Sequence, residues 1–289
     1  MKSDANAALA AQIREADSEQ RKADARRRYL LDELAYAASE RVMLQDGELL
    51  LTDGFFGLCE CYPVGAQDAA FFSMRLLSAL ETRGMPLRTD ILLPPEKRAA
   101  RGEHIVYVRN YYTDAAFDIL AKQLNSPTVS YADDFHDACH SVAEGLGDLC
   151  ILPLRDESWE GLRTFIRMPE QYALSVRALC TVSRPGGDTL HCALCGRGIL
   201  IPQDAPAVLA EFLIVAHEGD SYRLVQTVSS ALGGEVVFAD AAPDRYTEKI
   251  IHRVTYRLPR EKLDALLLAC RLFFPDAEIL SIYAGTIPS

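Results

Sequence analysis

The chain has 289 residues, 49% of them apolar and 25% charged, and its 41 acidic and 30 basic side chains give a formal charge of −11. This negative charge argues against binding to nucleic acids or anionic membranes, because polyanions are recognised by clustered Lys and Arg. The apolar share excludes a disordered chain, and no apolar segment of transmembrane or secretory length is present. We therefore expect a cytoplasmic protein of two domains, or of one domain with an appendage, whose eight cysteines are thiols.

Residues 1–103 are predicted to form an N-terminal region of helices and one hairpin. Helix-forming residues, uninterrupted by Gly or Pro, predict a single long helix over 4–44. The segment GELLLTDGFFGLCECY predicts a hairpin with Thr-Asp-Gly at its turn. An apolar stripe predicts a helix over 66–83, and the proline-containing stretch 86–103 is typical of a linker.

Residues 104–204 alternate between strand and helix patterns. The segments HIVYV, TVSYA and LCILPL predict strands, and helices are predicted between them over 114–124 and 135–146. Two further strands, ALSVRALCTV and DTLHCAL, lie on either side of a Pro-Gly-Gly break. Strand–helix alternation is typical of parallel strands with right-handed crossovers, so this region is predicted to be a parallel α/β lobe.

Residues 205–289 carry a different order of elements. Four strands are predicted at AEFLIVA, EVVFADA, KIIHRVTYRL and AEILSIYAG. One helix, SYRLVQTVSSALGG, follows the first strand, and a second helix over 259–274 precedes the last. The order βαββαβ predicts a ferredoxin-like layer of two helices on one antiparallel sheet, so the whole chain is expected to combine α/β and α+β parts.

Polar side chains follow two of the predicted parallel strands. Ligands bind beyond the carboxyl ends of such strands, which makes these residues candidates for a site. After the first strand they are Arg109, Asn110 and Thr113, and after the third strand they are Arg155, Asp156, Glu157 and Ser158. The alternative is an ordinary polar loop in which Asp156 or Ser158 caps the next helix.

Two groups of residues could bind a metal. Cys59, Cys61, Cys192 and Cys195 form a CxC and a CxxC pair that could hold zinc, although zinc sites built from pairs usually repeat the CxxC spacing. The alternative interpretation makes Cys192 and Cys195 strand residues on opposite faces of a sheet. His136 and His140 lie four apart on one helix, with no third ligand in a known motif. We expect no metal and no cofactor.

Read in order, these segments resemble prephenate dehydratase with its regulatory ACT domain, an enzyme of phenylalanine biosynthesis that is often fused to chorismate mutase. HIVYVRNYYTDAAFDIL resembles the opening strand, loop and helix of that family, and YADDFHDACHSVAEGLGDLCILPLRDESWEG resembles the stretch that ends in its Glu-Asn-Ser motif. The resemblance covers about 104–182 and 207–287, and GDLCILPL is its most specific part. It implies three regions: 1–103, a dehydratase-like lobe over 104–204, and an ACT-like domain over 205–289.

The motifs of the family are altered here. Its Gly-Pro-x-Gly loop is replaced by Arg109-Asn110-Tyr111, and its Glu-Asn-Ser by Arg155-Asp156-Glu157 with Ser158 one place late. Its Thr-Arg-Phe becomes Ala210-Glu211-Phe212, which puts a carboxylate where a dicarboxylate substrate needs a cation. Ala205 lies only 24 positions after Thr181, whereas a second lobe with its own core needs roughly 50 or more residues.

Three hypotheses follow from the resemblance. The first is a protein with eroded catalytic motifs that binds or senses a small molecule, such as phenylalanine or another amino acid, and forms a homodimer or higher oligomer through its ACT-like part. Its ligand residues would be His217, Glu218, Gly219, Asp220, Ser221 and Gly233. The second is an active prephenate dehydratase that forms phenylpyruvate. In that enzyme Thr113, Asp156 and Ser158 would transfer protons, and Arg109, Asn110 and Arg155 would bind substrate. The third is a structural or partner-binding oligomer that pairs through the N-terminal helix.

Overall fold

Two units, Met1–Leu87 and Arg88–Ser289, make up the chain in a computed structural model. The structure describes residues 2–45, 48–51, 54–55, 57–58, 65–99, 102–156, 168–186, 189–216, 221–243, 249–274 and 276–284.

The first unit is built on two helices and one hairpin. Its elements are α1 (Lys2–Ser39), β1 (Val42–Gln45), β2 (Glu48–Leu51) and α2 (Ala66–Thr82). Apolar side chains of α1 and α2 form its core, among them Leu31, Ala35, Ala38, Ala69, Phe72 and Leu76. Among the described helices, none combines the length and the apolar character needed to cross a bilayer.

The predicted boundary between the long helix and the hairpin was wrong. The helix ends at Ser39 instead of residue 44, and β1 pairs with β2 in an antiparallel register that joins Gln45 to Glu48. Val42 and Leu49 are buried, so the apolar residues after the helix are used by a hairpin instead of a further helical turn. Gly54, predicted in the turn, and residues 55 and 57–58, predicted in the returning strand, are helical, and residues 59–62 lie outside the described part of the chain.

The second unit begins with a mixed α/β region. Its elements are α3 (Thr89–Leu92), β3 (His104–Tyr107), α4 (Tyr111–Leu120), β4 (Thr128–Tyr131), α5 (Phe135–Ala143), β5 (Leu149–Asp156), β6 (Leu174–Ser183) and β7 (Thr189–Arg197). The strands form one five-stranded sheet in the order β4-β3-β5-β7-β6. Strand β3 is parallel to β4 and β5, while β7 is antiparallel to both of its neighbours.

The predicted parallel lobe is therefore a mixed sheet in which β7 alone runs against the other four strands. The reason is the short connection of five residues between β6 and β7, since adjacent strands joined by a short loop can pair only in the antiparallel sense. The strand–helix alternation over 104–156 matches the prediction. The helices α4 and α5 lie on opposite faces, with Ala116 and Leu120 in one apolar cluster and Ala138 and Val142 in another.

The connections through these helices determine where the winding of the sheet reverses. The chain passes from β3 through α4 outward to β4, and then through α5 back across β3 to β5. The direction of winding reverses between β3 and β5, and their carboxyl ends are where open α/β sheets usually bind ligands. Arg109, Asn110 and Thr113 follow β3 at this edge, and Arg155 and Asp156 end β5 there.

The second unit ends with an antiparallel sheet that carries two helices. Its elements are β8 (Ala207–Ala216), α6 (Ser221–Ala231), β9 (Glu235–Pro243), β10 (Ile250–Pro259), α7 (Leu263–Phe273) and β11 (Ala277–Ala284). The strands lie in the order β11-β8-β10-β9, and every pairing is antiparallel. The two sheets meet through Leu209 and Tyr283, which join the apolar cluster of the first sheet. The backbone N–H of Val176 donates to Ser281 Oγ across this junction at 2.9 Å.

Candidate functional site

The first of the predicted site segments forms the start of helix α4. Asn110 Oδ1 accepts hydrogen bonds from the backbone N–H groups of Tyr112 (3.0 Å) and Thr113 (3.1 Å). Thr113 Oγ1 in turn accepts from the backbone N–H of Asn110 at 3.1 Å. The two residues thus form a capping box, which explains why the helix begins at Tyr111, three residues before the predicted start.

The cap uses the polar groups that were predicted to act on a substrate. Thr113 is fully buried, and its hydroxyl donates its single proton to the carbonyl of Val108 at 2.5 Å. The side-chain oxygen of Asn110 accepts two bonds from the first turn of the helix. Proton transfer by Thr113 would therefore require its hydroxyl to leave the helix cap, whereas the cap uses only the side-chain oxygen of Asn110 and not its NH₂ group.

Arg109 lies at the same edge, beside a carboxylate. Its Nε is 3.6 Å from Asp114 Oδ2, and its guanidinium carbon lies 5.4 Å from the ring centroid of Tyr131. Tyr107 donates from its hydroxyl to Asp114 Oδ1 at 3.1 Å, and burial, then Asp114, raise the pKa of Tyr107. We call Tyr107, Arg109, Asp114 and Tyr131 the carboxyl-end cluster. Its positive charge already faces a negative one.

The other predicted residues of this edge are placed by their strand positions. Arg155 pairs in register with His191 of β7, and His191 pairs with Thr181 of β6. Thr181 Oγ1 and His191 Nδ1 are 3.0 Å apart, so this row brings an imidazole next to Arg155 along the sheet. His191 was not among the predicted site residues. Side chains alternate between the two faces along β7, and this alternation is the sequence signal that could have found it. The side chains of Arg155 and Asp156, and all of Ser158, lie outside the described part of the chain.

The predicted ligand loop of the second sheet is mostly outside the described residues. This holds for His217, Glu218, Gly219 and Asp220, whereas Ser221 opens α6. Gly233 follows α6 with φ +80°, a left-handed conformation that favours glycine. Its backbone N–H donates to the carbonyl of Ser230 at 3.0 Å, and the glycine therefore ends the helix.

The six described cysteines are buried thiols, namely Cys139, Cys150, Cys180, Cys192, Cys195 and Cys270. Cys192 and Cys195 lie in different apolar clusters, on opposite faces of the first sheet. Burial raises the pKa of Cys192 to about 12. Within the described ranges no cluster of three or more metal-ligating residues occurs, and Cys59 and Cys61 are not among them. CxxC spacing on a strand here places its two thiols apart.

Glu211, which takes the place of an arginine in the resemblance, lies in the middle of β8. It is buried and pairs with Arg253 of the neighbouring strand β10. Glu170 Oε2 lies 3.9 Å from the same guanidinium. Burial is the largest influence on the pKa of Arg253 and lowers it, but Glu211 and Glu170 together raise that pKa above its ordinary value. This carboxylate is therefore neutralised inside the protein.

A cleft of about 580 Å³ opens at the opposite edge of the first sheet. We call it the amino-end cleft because it lies where the parallel strands begin. Its apolar lining includes Leu124, Leu149, Ala178, Leu194, Leu200, Ile201 and Pro202. Its polar lining includes Glu103, Gln123, Asn125, Arg177, Gln203 and Asp204. A volume of this size and an apolar wall with a few polar groups are typical of small-molecule sites.

Arg177 is brought into the cleft by an irregularity of β6. Val176 pairs with Cys195 and Ala178 pairs with Leu194, so Arg177 is the extra residue of a β-bulge. Bulges redirect a side chain and are frequent beside functional sites. The guanidinium donates from Nη2 to the carbonyl of Arg197 at 2.5 Å.

A glycine makes room for this guanidinium. A Cβ on Gly196 would lie 2.8 Å from Arg177 Nε, so the arginine occupies the space that a side chain at 196 would fill. Burial lowers the pKa of Arg177, and the carboxylate of Asp148 opposes that effect. Asp148 is itself held by the backbone N–H groups of Glu103 and His104, at 3.1 and 3.0 Å. The result is an oriented, half-buried cation at the inner wall of the cleft.

Comparisons with known proteins found neither a family model nor a curated protein that matches the chain. Among solved structures, a protein described as GqqA, a novel type of quorum quenching acylase, aligns with TM-score 0.49 and 14% identity over 64% of this chain and 96% of its own. Prephenate dehydratase from Streptococcus mutans aligns with TM-score 0.48 and 14% identity over 63% and 97%. Prephenate dehydratase from Arthrobacter aurescens, in complex with L-Phe, aligns with TM-score 0.46 and 12% identity over 64% and 93%.

Proposed function

We propose that the protein binds a small molecule in the amino-end cleft and acts as a regulatory module without dehydratase turnover. The observation that carries the proposal is the cleft itself, with its apolar wall and one arginine turned inward by a bulge. The cleft is formed by segments near residues 103, 124, 149, 177, 194 and 202. A ligand there would contact several elements of the second unit at once.

The carboxyl-end geometry supports the absence of turnover. Loss of water and CO₂ from prephenate needs an acid for the leaving hydroxyl and cations for two carboxylates. The hydroxyl of Thr113 is bonded to Val108, and Arg109 lies beside Asp114. Glu211 is bound to Arg253 inside the second sheet. These groups are thus already engaged with partners of the protein itself.

The test is phenylpyruvate formation from prephenate by the purified protein, with and without phenylalanine. We expect a rate equal to the spontaneous one in the same buffer. Turnover above that rate would overturn the non-catalytic part of the proposal and support the alternative of an active dehydratase. In that case Arg155→Ala would be expected to abolish it.

We also propose that 205–289 is an ACT-like domain of ferredoxin-like topology. The strand order β11-β8-β10-β9 and the element order βαββαβ support this. Its amino-acid ligand would contact His217, Glu218, Gly219, Asp220, Ser221 and Gly233. Calorimetric titration with phenylalanine and other amino acids tests it, and Gly233→Val should remove any heat of binding. A panel of amino acids that all fail to bind would contradict the sensing role.

We propose that the homodimer pairs through an edge of the same antiparallel sheet. Strand β9 is at the end of the strand order, and its Val236 and Val237 are exposed. Such an edge can pair with a second copy. Light scattering of the full chain should give twice the monomer mass, and Val236→Glu should lower it. A dimer broken instead by Leu30→Glu, on the exposed part of α1, would favour pairing through the N-terminal helix.

A further inference from the structure

We propose that the ligand of the amino-end cleft is a small amphipathic monocarboxylate, and that Arg177 anchors its carboxylate. This inference rests on the proposed function, because it assigns the chemistry of the ligand that the same cleft would hold. Three features of the cleft carry it: the position of its cation, the nature of its wall, and the charges at its rim.

The cation is placed and oriented for a carboxylate. Among the described residues that line the cleft, Arg177 is the single Lys or Arg. Its Nη2 bond to the carbonyl of Arg197 and its packing against Gly196 fix the plane of the guanidinium. A fixed planar guanidinium recognises carboxylates through paired hydrogen bonds, with little further loss of side-chain freedom. Burial that lowers the pKa of Arg177 also makes an added anion favourable there.

The wall around the cation is apolar. Leu194 pairs in register with Ala178, the residue after Arg177, and Leu149, Leu200, Ile201 and Pro202 also line the cleft. A ligand that places only a carboxylate here would leave this surface in water. An apolar body attached to the carboxylate covers it, and its burial adds to the affinity.

The rim selects against a second negative charge. Glu103 and Asp204 line the cleft and are exposed, so each adds a solvated carboxylate to its lining, and we call these two groups the rim. A dianion anchored on Arg177 would place its second carboxylate in a cleft that already holds these charges. Like charges repel each other even in water. The cleft therefore favours a ligand with one carboxylate over a dicarboxylate such as prephenate.

The experiment uses three probes with one phenyl body and different charge. They are 3-phenylpropionate, phenylsuccinate and 2-phenylethylamine, titrated calorimetrically into the full-length protein. We expect 3-phenylpropionate to bind most tightly. Phenylsuccinate should bind about fivefold more weakly because of the rim. The amine should bind at least about tenfold more weakly because it meets Arg177.

Variants of the chain locate the site. Arg177→Gln should weaken 3-phenylpropionate binding about tenfold or more, and Arg177→Lys should restore part of it, since it keeps the charge without the planar fork. Arg184→Gln is the matched control, because Arg184 is exposed and follows the other end of the same strand. It should leave the affinity unchanged. Leu200→Glu adds a carboxylate to the wall at a side chain that is already 41% exposed, and it should also weaken binding.

The outcomes separate this inference from the proposed function. Equal binding of 3-phenylpropionate by wild type, Arg177→Gln and Leu200→Glu would overturn the inference and leave a binding role in place. Tighter binding of the amine than of the carboxylate would do the same. Turnover of prephenate would overturn the non-catalytic function, while the response of the probes to Arg177→Gln would still decide the inference. Failure of all three probes to bind, without turnover, would overturn it.

Discussion

The two edges of the five-stranded sheet use polar side chains differently. At the carboxyl edge, Asn110 accepts hydrogen bonds from the first turn of its helix, Thr113 donates to the carbonyl of Val108, and Arg109 lies beside Asp114. At the amino edge, a bulge directs Arg177 into an open cleft. The comparison teaches that polar residues after a parallel strand can cap the next helix, whereas a polar side chain in the lining of a cleft marks a candidate ligand site. Four predictions test whether the first edge is structural and the second is a site.

The largest effect is expected at Glu211, which takes the place of an arginine in the resemblance and is paired inside the protein. Arg253→Met removes the partner of Glu211, whose side chain is 6% exposed. Breaking one partner of a buried pair leaves an unpaired charge and costs about 3–5 kcal/mol of the free energy of unfolding. Urea denaturation followed by circular dichroism measures the loss.

A double variant is the control for this pair. Glu211→Gln combined with Arg253→Met removes both charges, and should recover most of the stability because replacing a whole buried pair is often close to neutral. If Arg253→Met alone were as stable as wild type, Glu211 would not depend on this partner. Its carboxylate would then remain a candidate for another role.

The next largest effect concerns the helix cap at the carboxyl edge. Thr113→Val removes a buried hydroxyl that donates to Val108 and accepts from the backbone of Asn110. Two backbone groups lose a partner, so the free energy of unfolding should fall by about 1–3 kcal/mol. Thr113→Ser keeps the hydroxyl and should lose much less. A Thr113→Val protein of wild-type stability would argue that the hydroxyl is held for chemistry instead.

The free energy of unfolding is expected to depend on pH through two buried thiols of the first sheet, Cys180 and Cys192. Burial raises the pKa of Cys180 from 9.0 to about 11 and that of Cys192 to about 12. Above about pH 9 the unfolded chain loses protons that the folded protein keeps, so the free energy of unfolding falls as pH rises toward these values. Each thiol lowers the free energy of unfolding by up to about 1.4 kcal/mol per pH unit in this range. Urea denaturation at several pH values measures this dependence. The free energy of unfolding of a Cys180→Ala, Cys192→Ala variant should fall less steeply with pH than that of the wild type.

The smallest effect is expected at the exposed arginine of the carboxyl edge. Arg109 is 69% exposed and its pair with Asp114 is solvated, so Arg109→Gln should change stability by about 0.5 kcal/mol or less. It should also leave binding of 3-phenylpropionate unchanged. A large loss of affinity in this variant would move the ligand site from the amino-end cleft to the carboxyl-end cluster.

Much of the fold follows from local patterns. Short strand-forming runs at 104–107, 128–131 and 149–154 and the apolar stripes between them predict strands and helices that the structure contains. The first hairpin was placed wrongly because Glu40, Arg41 and Leu44 are good helix formers and hid the strand. The decisive signal is the pair Asp46-Gly47, which lies between register partners Gln45 and Glu48 and favours a two-residue hairpin.

Less of the site could be predicted. The roles of Asn110 and Thr113 depend on a reciprocal hydrogen-bond pattern that their spacing allows but does not require. The amino-end cleft unites residues from 102 to 284, and its arginine is displayed by a one-residue shift in strand pairing. A shift of this kind depends on the neighbouring strand, so the pattern of β6 alone does not contain it.

The bond between Val176 and Ser281 has a consequence for communication between the sheets. It joins the residue before Arg177 to β11, whose last residue, Ala284, lines the cleft. Occupation of the cleft and rearrangement of the antiparallel sheet therefore act on one shared strand. If they are energetically coupled, linkage makes the effect reciprocal: an effector on the antiparallel sheet that tightens the cleft ligand is itself tightened by the same factor. The Val176 amide donates to a side chain of the other sheet, so its rate of hydrogen exchange directly reports this coupling between the two sheets.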